Sequence, residues 1–246
     1  MLRSLKVPVA LIVPCYNEEA TIPFLKEKLE RLKEHIESRY DFHYVFVDDA
    51  STDATLDVLK HHFSAWPNVT FLKNQTNLGI AGATLNGIRS TAADIVCSID
   101  CDCTFDPEHL AVMLPLLTDG VDVVTASPYH PEGGVDGVPV WRITLSKGAS
   151  VLYRTVLKQK LASYTTCCRV YRRSAIQDVT LRHSDFVGIT EILARMDFNG
   201  ARVVEVPAVL GTRQYGQSKM RVLRTALGHL DLLSRCALAR LRLSSL

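Results

Sequence analysis

The chain is predicted to be an α/β protein with a mostly parallel central sheet flanked by helices. Short apolar runs of strand length alternate with longer segments whose apolar residues recur every three or four positions. This alternation is typical of parallel strands joined by right-handed helical crossovers. Its 246 residues, 47% hydrophobic and 22% charged, suit one large α/β domain or two small ones.

The first four predicted strands are each followed by a helix. We place the strands at 7–14, 44–47, 69–72 and 95–99, and the helices at 22–39, from 51, at 80–90 and from 110. The run 7–14 is almost wholly apolar, as expected for a strand covered on both faces. Thr21 precedes the first helix and is predicted to cap it.

The second half continues with strands at 121–125, 165–171 and 202–206, and helices at 143–157 and 189–199. The segment 127–139 holds three prolines and three glycines and is predicted to be a lid or binding loop. We therefore expect a domain over 1–219, followed by a basic amphipathic helix over 220–246. That helix could lie in a bilayer interface or pack one apolar face on the domain.

Charge and cysteine content indicate the kind of partner and compartment. Residues 202–246 carry eight Lys or Arg against two acids, a net of +6 that leaves −4 for the first 201 residues. A basic end on a mildly acidic body favours an anionic partner. The seven cysteines show no zinc spacing, which favours a reducing, cytosolic setting. No run reaches the roughly 18 apolar residues of a membrane span, so we expect a soluble or peripheral protein.

Polar side chains follow four of the predicted strands. They are Tyr16, Asn17 and Glu18, then Asp48 and Asp49, then Asn77 to Gly79, and finally Asp100 and Asp102. Ligands of open α/β sheets bind beyond the carboxyl ends of the strands, so these groups should share one crevice. The D-x-D pair can hold a divalent cation that clamps phosphate oxygens. Alone, such a pair is equally consistent with a solvated turn.

A nucleotide suits this crevice for several reasons. Tyr16 offers a ring to border a base, Asp49 can accept a base N–H, and Glu18 can accept ribose hydroxyls. Gly79 would allow the backbone to approach the nucleotide closely. A dinucleotide-dependent oxidoreductase is excluded because residues 14–19 contain no glycine where a G-x-G-x-x-G is needed.

These motifs, in this order, resemble family 2 glycosyltransferases with the GT-A fold. Within the family the likeness is to dolichyl-phosphate mannose synthases and their polyprenyl-phosphate relatives, over roughly residues 8–225. The motifs are Pro14 to Glu18, Val47 to Asp53, Asp100 to Asp102, Trp141-Arg142 with Ser146 to Gly148, Thr165 to Tyr171, Glu205 to Pro207, and Arg213 with Gly216 to Met220.

The resemblance implies a metal-dependent transfer of a sugar from a nucleoside-diphosphate sugar, of UDP or GDP type, to a polyprenyl phosphate, with inversion. The implied nucleotide-sugar site is Pro14, Tyr16, Glu18, Asp49, Gly79, Asp100 and Cys101. Asp100 and Asp102 would bind Mg²⁺ or Mn²⁺. Arg142, Ser146, Arg169, Arg213, Ser218 and Lys219 would contact acceptor or donor phosphates. The candidate catalytic residues are Asp102 and Arg142. A hydroxyl acceptor would also require a general base, for which Glu191 is the best-placed candidate, although its position is equally consistent with a glutamate on a helix surface.

Two departures from the family pattern affect the acceptor side. Pro128 stands where many members carry an arginine, and Cys167-Cys168 replaces a Gly-Phe pair. His130 could restore some of the missing charge. A glycosyltransferase with a hydroxyl acceptor, or a nucleotide-sugar-binding subunit without activity, therefore stays open as an alternative. We expect peripheral association with the cytoplasmic face of a membrane and no nucleic-acid partner, and a homodimer stays open.

Overall fold

The computed structural model describes residues 6–216 and 221–241. Within this part, a seven-stranded sheet has the order β3-β2-β1-β4-β7-β5-β8, and β6 pairs with β9 in a small second sheet. The strands are β1 (Val7–Cys15), β2 (Tyr40–Asp48), β3 (Val69–Lys73), β4 (Ile95–Ser98), β5 (Val123–Ser127), β6 (Gly134–Val135), β7 (Arg169–Arg172), β8 (Val203–Pro207) and β9 (Val209–Leu210).

Helices cover both faces of the large sheet. They are α1 (Ile22–Ile36), α2 (Thr55–Phe63), α3 (Gly79–Arg89), α4 (His109–Met113), α5 (Val140–Val156), α6 (Arg173–Ile176), α7 (Phe186–Phe198) and α8 (Val222–Arg240), with a 3₁₀ turn at Leu114–Leu116. The predicted mostly parallel α/β architecture is confirmed.

The exception to parallel pairing is β7, which runs antiparallel to both of its neighbours, β4 and β5. Its first residue, Arg169, lies opposite Ser98, the last residue of β4. The segment that leads into β7 is therefore brought to the same edge of the sheet as the carboxyl end of β4. This reversal places residues 163–168 beside the acid pair that follows β4.

The core has two layers separated by the sheet. Alternate residues of β1 enter opposite layers: Val9, Leu11 and Val13 pack on the side of α1, and Ala10 and Ile12 on the side of α3. All five are fully buried. Burial on both faces explains why this strand reads as a continuous apolar run.

Several element boundaries differ from prediction. Thr21 does not cap α1 through its side chain; its hydroxyl instead donates to Glu18 Oε2 at 2.9 Å. The helix α5 begins at Val140 rather than 143, directly after Pro139. The predicted loop 127–139 contains the short strand β6, which pairs with β9.

Helix α8 packs on the domain. Leu232 and Cys236 are buried in the layer that also contains α5 and α7, while Leu223, Leu227 and Leu238 on the same helix remain exposed. His183 Nε2 lies 3.3 Å from Asp231 Oδ2 and ties α8 to the loop before α7. In the part of the chain that the structure describes, no helix combines the length and apolarity needed to cross a bilayer.

Candidate active site

A cavity of about 1280 Å³ opens at the carboxyl ends of β1, β2 and β4 and extends between α5 and α8. Most of the predicted site residues line it together: Pro14, Tyr16, Glu18, Asp49, Gly79, Asp100, Cys101, Asp102, Arg142, Ser146 and Arg213. Ser218 and Lys219 lie outside the described residues. The parallel strands thus bring the four polar exits into one crevice, as their spacing predicts.

The acid pair lies in the turn that follows β4. Asp102 Oδ1 accepts the backbone N–H of Thr104 at 3.0 Å, which fixes that carboxylate. Burial, and next the negative charge of Asp102, raise the pKa of Asp100 to about 7, against the opposing effects of Cys167 and Arg213. A cation bound beside Asp100 would favour its ionised form.

The residues present fit a divalent cation that arrives with phosphate. No group of three or more Asp, Glu, His or Cys side chains among residues 6–216 and 221–241 is placed to hold a metal by itself. Mg²⁺ is commonly bound by one or two carboxylates, with substrate phosphates and waters completing its shell. Asp100 and Asp102 match that ligand set, whereas a dedicated protein cage would need more ligands.

Arg213 bridges the two acidic parts of the cavity. Its Nη1 lies 2.8 and 2.9 Å from the two carboxylate oxygens of Glu18, and its Nη2 lies 2.8 Å from Asp102 Oδ2. The Glu18 carboxylate also accepts the Thr21 hydroxyl, and the backbone N–H of Glu18 donates to Thr55 Oγ1 at 2.8 Å. Arg213 is therefore bound to one predicted ribose ligand and one predicted metal ligand at once.

Asp49 organises the loop that begins α3. Its buried carboxylate accepts the backbone N–H groups of Leu78 and Gly79, each at 2.8 Å, and the Asn74 side-chain amide at 2.7 Å. Gly79 has φ +75°, and a Cβ there would lie 2.6 Å from the Ser184 carbonyl oxygen. Only glycine meets both conditions without strain. Asp49 thus shapes this wall of the cavity, and its role toward a base stays a prediction.

One wall of the cavity is formed by residues of α5. Arg142 lines the cavity with its guanidinium 5.3 Å from the Trp141 ring, and its buried Nε finds no hydrogen-bond partner among the described residues. One turn further along, Ser146 Oγ lies 2.8 Å from Thr165 Oγ1. A guanidinium with unused donors and a hydroxyl on one helix face suit a phosphate group.

Arg169 does not line the cavity, and its predicted phosphate contact is contradicted. The side chain is fully buried, and its guanidinium donates to the carbonyl oxygens of Ile189 and Tyr164 at 2.8 and 2.7 Å. Its Nε donates to Thr125 Oγ1 at 3.3 Å. These internal acceptors make Arg169 a tie between β7, α7 and the segment before β7.

The position of Glu191 contradicts the role of a general base. Its carboxylate is 1% exposed, absent from the cavity lining, and accepts the backbone N–H of His183 and Arg195 Nη2 at 2.8 and 2.7 Å. Burial opposes ionisation, but hydrogen bonds from His183, Arg182 and Arg195 outweigh it and hold the pKa of Glu191 below its usual range. A shielded, weakly basic carboxylate cannot reach an acceptor hydroxyl.

Cys167 is a site residue that the sequence did not indicate as one. Burial, and next the negative charge of the nearby Asp100, raise the pKa of its thiol, and Ser98 Oγ donates to its carbonyl oxygen at 2.6 Å. It lines the cavity at the point where β7 reverses direction. In the sequence, this position stands out only because Cys167-Cys168 replaces the family's Gly-Phe pair. That departure does not indicate that Cys167 lies near Asp100.

Part of the cavity lining is apolar. Leu145 and Leu152 of α5 and Leu230 and Leu233 of α8 line it. Their helices also expose apolar side chains that do not line the cavity: Val140, Val151, Leu223, Leu227 and Leu238. The same cavity is therefore lined by carboxylates, by Arg142 and Ser146, and by apolar side chains of two helices.

The fold and the paired carboxylates at the edge of its parallel sheet are those of nucleotide-sugar transferases with the GT-A architecture. Residues 10–180 match the model of glycosyl transferase family 2. The chain belongs to that family and is a glycosyltransferase.

Curated relatives agree with the predicted group. The chain is 28% identical over 218 residues to a dolichol-phosphate mannosyltransferase of Pyrococcus furiosus, covering 87% of this chain and 59% of that protein. It is 29% identical over 217 residues to a polyprenol monophosphomannose synthase of Mycolicibacterium smegmatis, covering 85% of this chain and 80% of that one. The chain thus spans about three-fifths of the length of the Pyrococcus relative.

Solved structures support the fold. Mannosyl-3-phosphoglycerate synthase from Rubrobacter xylanophilus superposes with a TM-score of 0.70 at 21% identity, covering 98% of this chain and 77% of that one. Glucosyl-3-phosphoglycerate synthase from Mycobacterium tuberculosis, in complex with Mn²⁺, UDP and its product, gives a TM-score of 0.64 at 18% identity, covering 97% and 81%. The GT-A fold predicted from the sequence is confirmed.

Proposed function

We propose that the chain transfers a sugar from a nucleoside-diphosphate sugar to a polyprenyl phosphate, with inversion, at the cytoplasmic face of a membrane. One observation carries this proposal. One cavity is lined by the acid pair at the sheet edge, by Arg142 and Ser146, and by apolar side chains of α5 and α8. A sugar diphosphate and a lipid phosphate are the substrates whose chemistry matches such a combined lining.

The donor half uses the carboxylates and the loop glycine. Tyr16 and Glu18 would contact the nucleoside, and Gly79 lets the backbone come close to it. A divalent cation held by Asp100 and Asp102 would supply electrostatic stabilisation of the departing diphosphate. The names of structures with this fold include UDP with Mn²⁺ or Mg²⁺, which supports such a cofactor. A UDP or a GDP donor is equally compatible with the cavity.

The acceptor half needs positioning more than proton transfer. A phosphate monoester is already anionic at neutral pH, so its oxygen can attack without a general base. Arg142 and Ser146 would hold that phosphate and partly neutralise it. Direct displacement of the diphosphate by this oxygen inverts the anomeric carbon. The names of the Pyrococcus and Mycolicibacterium relatives, both polyprenyl-phosphate enzymes, support this acceptor.

Membrane association is proposed through α5 and α8. Leu223 and Leu227 are 75% and 59% exposed, and Arg224 on the same helix is also exposed. Apolar residues interspersed with arginines on one helix are typical of a segment that lies in a bilayer interface. The free state of all seven cysteines fits a reducing compartment.

A transfer assay tests the reaction. The purified chain is incubated with Mn²⁺, polyprenyl phosphate in vesicles, and UDP-glucose, UDP-N-acetylglucosamine or GDP-mannose in turn. We expect one donor to give a lipid-linked sugar phosphate, and Asp102→Asn to abolish it. Asp119→Asn, an exposed acid remote from the cavity, is the matched control. Equal transfer to polyprenol lacking phosphate, or no lipid product with any donor, would contradict the proposal.

Vesicle co-sedimentation tests the membrane contact. We expect binding to anionic vesicles, lost in a Leu223→Ser/Leu227→Ser variant. Val112→Ser changes a residue of similar exposure on α4, across the sheet, and should bind like the unmodified protein. Unchanged binding of the double variant would exclude α8 as the docking helix.

A further inference from the structure

Arg213 occupies the space between the two groups that the proposed donor needs. It contacts Glu18 with one terminal nitrogen and Asp102 with the other, all at 2.8–2.9 Å. The three side chains are largely shielded, with 21%, 7% and 11% exposure for Arg213, Glu18 and Asp102. Ion pairs in such surroundings are screened far less than surface pairs.

The neighbouring backbone holds Arg213 in this position. On one side, the Gly211 N–H donates to the Thr104 carbonyl at 2.8 Å, which ties the loop to the segment after the acid pair. On the other side, Gly216 has φ +71°, and a Cβ there would lie 3.3 Å from Arg213 Nη1. The loop is therefore fitted closely around the guanidinium.

The guanidinium acts as a tethered cation in the acidic end of the cavity. A bare divalent cation that binds Asp102 must compete with Arg213 for the same carboxylate. A cation that arrives on a nucleoside diphosphate differs, because its phosphate oxygens offer the guanidinium a new anionic partner. Arginine is well suited to such an exchange, since its planar donors match carboxylate and phosphate oxygens equally.

We infer that Arg213 excludes free divalent cations from the acid pair and leaves Glu18 and Asp102 for the diphosphate when the donor binds. This inference rests on the proposed function and adds selection of the metal–nucleotide complex over free metal. Glu18 is released by the same exchange and becomes available to the ribose. Arg213 thus couples binding at the nucleoside subsite to binding at the metal subsite.

Binding measurements test the inference without transfer activity. Isothermal titration with Mn²⁺ alone, and with UDP or GDP in the presence of Mn²⁺, is compared for the unmodified chain, Arg213→Gln and Arg213→Lys. An opposite charge within 4–6 Å changes a carboxylate's proton affinity by about tenfold or more, and we expect a similar effect on the cation. Arg213→Gln should therefore bind Mn²⁺ alone about tenfold more tightly and the nucleotide about tenfold more weakly.

The opposite changes expected for Mn²⁺ binding and for nucleotide binding distinguish competition by Arg213 from a merely structural role of this residue. Arg213→Lys keeps the charge and should bind Mn²⁺ alone as weakly as the unmodified chain. Arg31→Gln removes an exposed arginine of α1 and is the control for arginine loss. Equal or weaker Mn²⁺ binding by a folded Arg213→Gln, checked by circular dichroism, would overturn the inference. Failure of the unmodified chain to bind either nucleotide would instead count against the proposed function, while the Mn²⁺ titration still decides the role of Arg213.

Discussion

Replacing Glu191 with glutamine should reduce stability and leave transfer activity intact. The carboxylate is buried against Arg195 and accepts backbone N–H groups of Arg182 and His183. Glutamine removes the charge and turns an amide NH₂ toward groups that are themselves donors. Breaking a buried ion pair costs about 3–5 kcal/mol. Because Arg195 keeps 17% of its side chain exposed, we expect the lower end, about 3 kcal/mol.

The pH dependence gives this prediction a second test. The pKa of Glu191 is depressed in the folded protein, so its contribution is present above the unfolded value of about 4.3 and is lost as the pH falls through the lower, folded pKa. The difference between the two proteins should thus be full at pH 7 and shrink below about pH 4.

Urea unfolding followed by circular dichroism measures the free energies, and transfer is assayed at low temperature per folded molecule. Glu30→Gln, which alters an exposed pair with Lys26, should change stability by less than about 1 kcal/mol. Unchanged stability with lost transfer in Glu191→Gln would refute this reasoning and restore the hydroxyl-acceptor alternative.

Three further predictions concern the walls of the cavity. Arg169→Met should lower the free energy of unfolding by about 3 kcal/mol, because the buried carbonyl groups of Ile189 and Tyr164 lose their hydrogen-bond donor. Nucleotide affinity per folded molecule, measured by titration calorimetry, should be unchanged. Cys167→Ala should weaken Mn²⁺–nucleotide binding roughly threefold to tenfold, because it removes a polar side chain that lines the cavity with Asp100, and Cys167→Ser should restore it. Equal affinities of the three proteins would deny the thiol a positioning role. Gly79→Ala should lower the melting temperature and weaken nucleotide binding, because a positive φ costs about 1–2 kcal/mol and the Ser184 carbonyl blocks the new Cβ; a variant with unaltered affinity would show that this wall does not touch the nucleotide.

The regular parts of the fold were predictable because their burial patterns are simple. The strand β1 is covered on both faces, and α1 buries residues at three- and four-residue spacing, so both patterns appear directly in the sequence. The direction of β7 was not predictable, because an antiparallel strand inside a parallel sheet has the same apolar pattern. The two-residue strands β6 and β9 are too short to carry any period.

The convergence of the polar strand exits was predictable for a geometric reason. Parallel strands end at one edge, so residues after β1, β2 and β4 must lie near one another. Arg169 and Glu191 were misplaced because a motif gives residue types without the direction of each side chain. Arg169 pairs with Ser98 in the sheet, and its side chain extends into the core, where carbonyl groups bind it. Burial of a charged side chain with internal acceptors leaves no mark on the sequence pattern.

Among the described residues from 202 onward, arginines reach the cavity in two different settings. Arg213 extends into the acidic end of the cavity and neutralises carboxylates, whereas Arg221 and Arg224 line the cavity beside α8. A charge count alone treats these arginines as one anionic-partner surface. Their separation means that added salt should weaken vesicle binding through α8 strongly, because exposed charges are screened, and should affect the shielded Arg213 pairs much less. We therefore expect these two groups of arginines to differ in their response to salt.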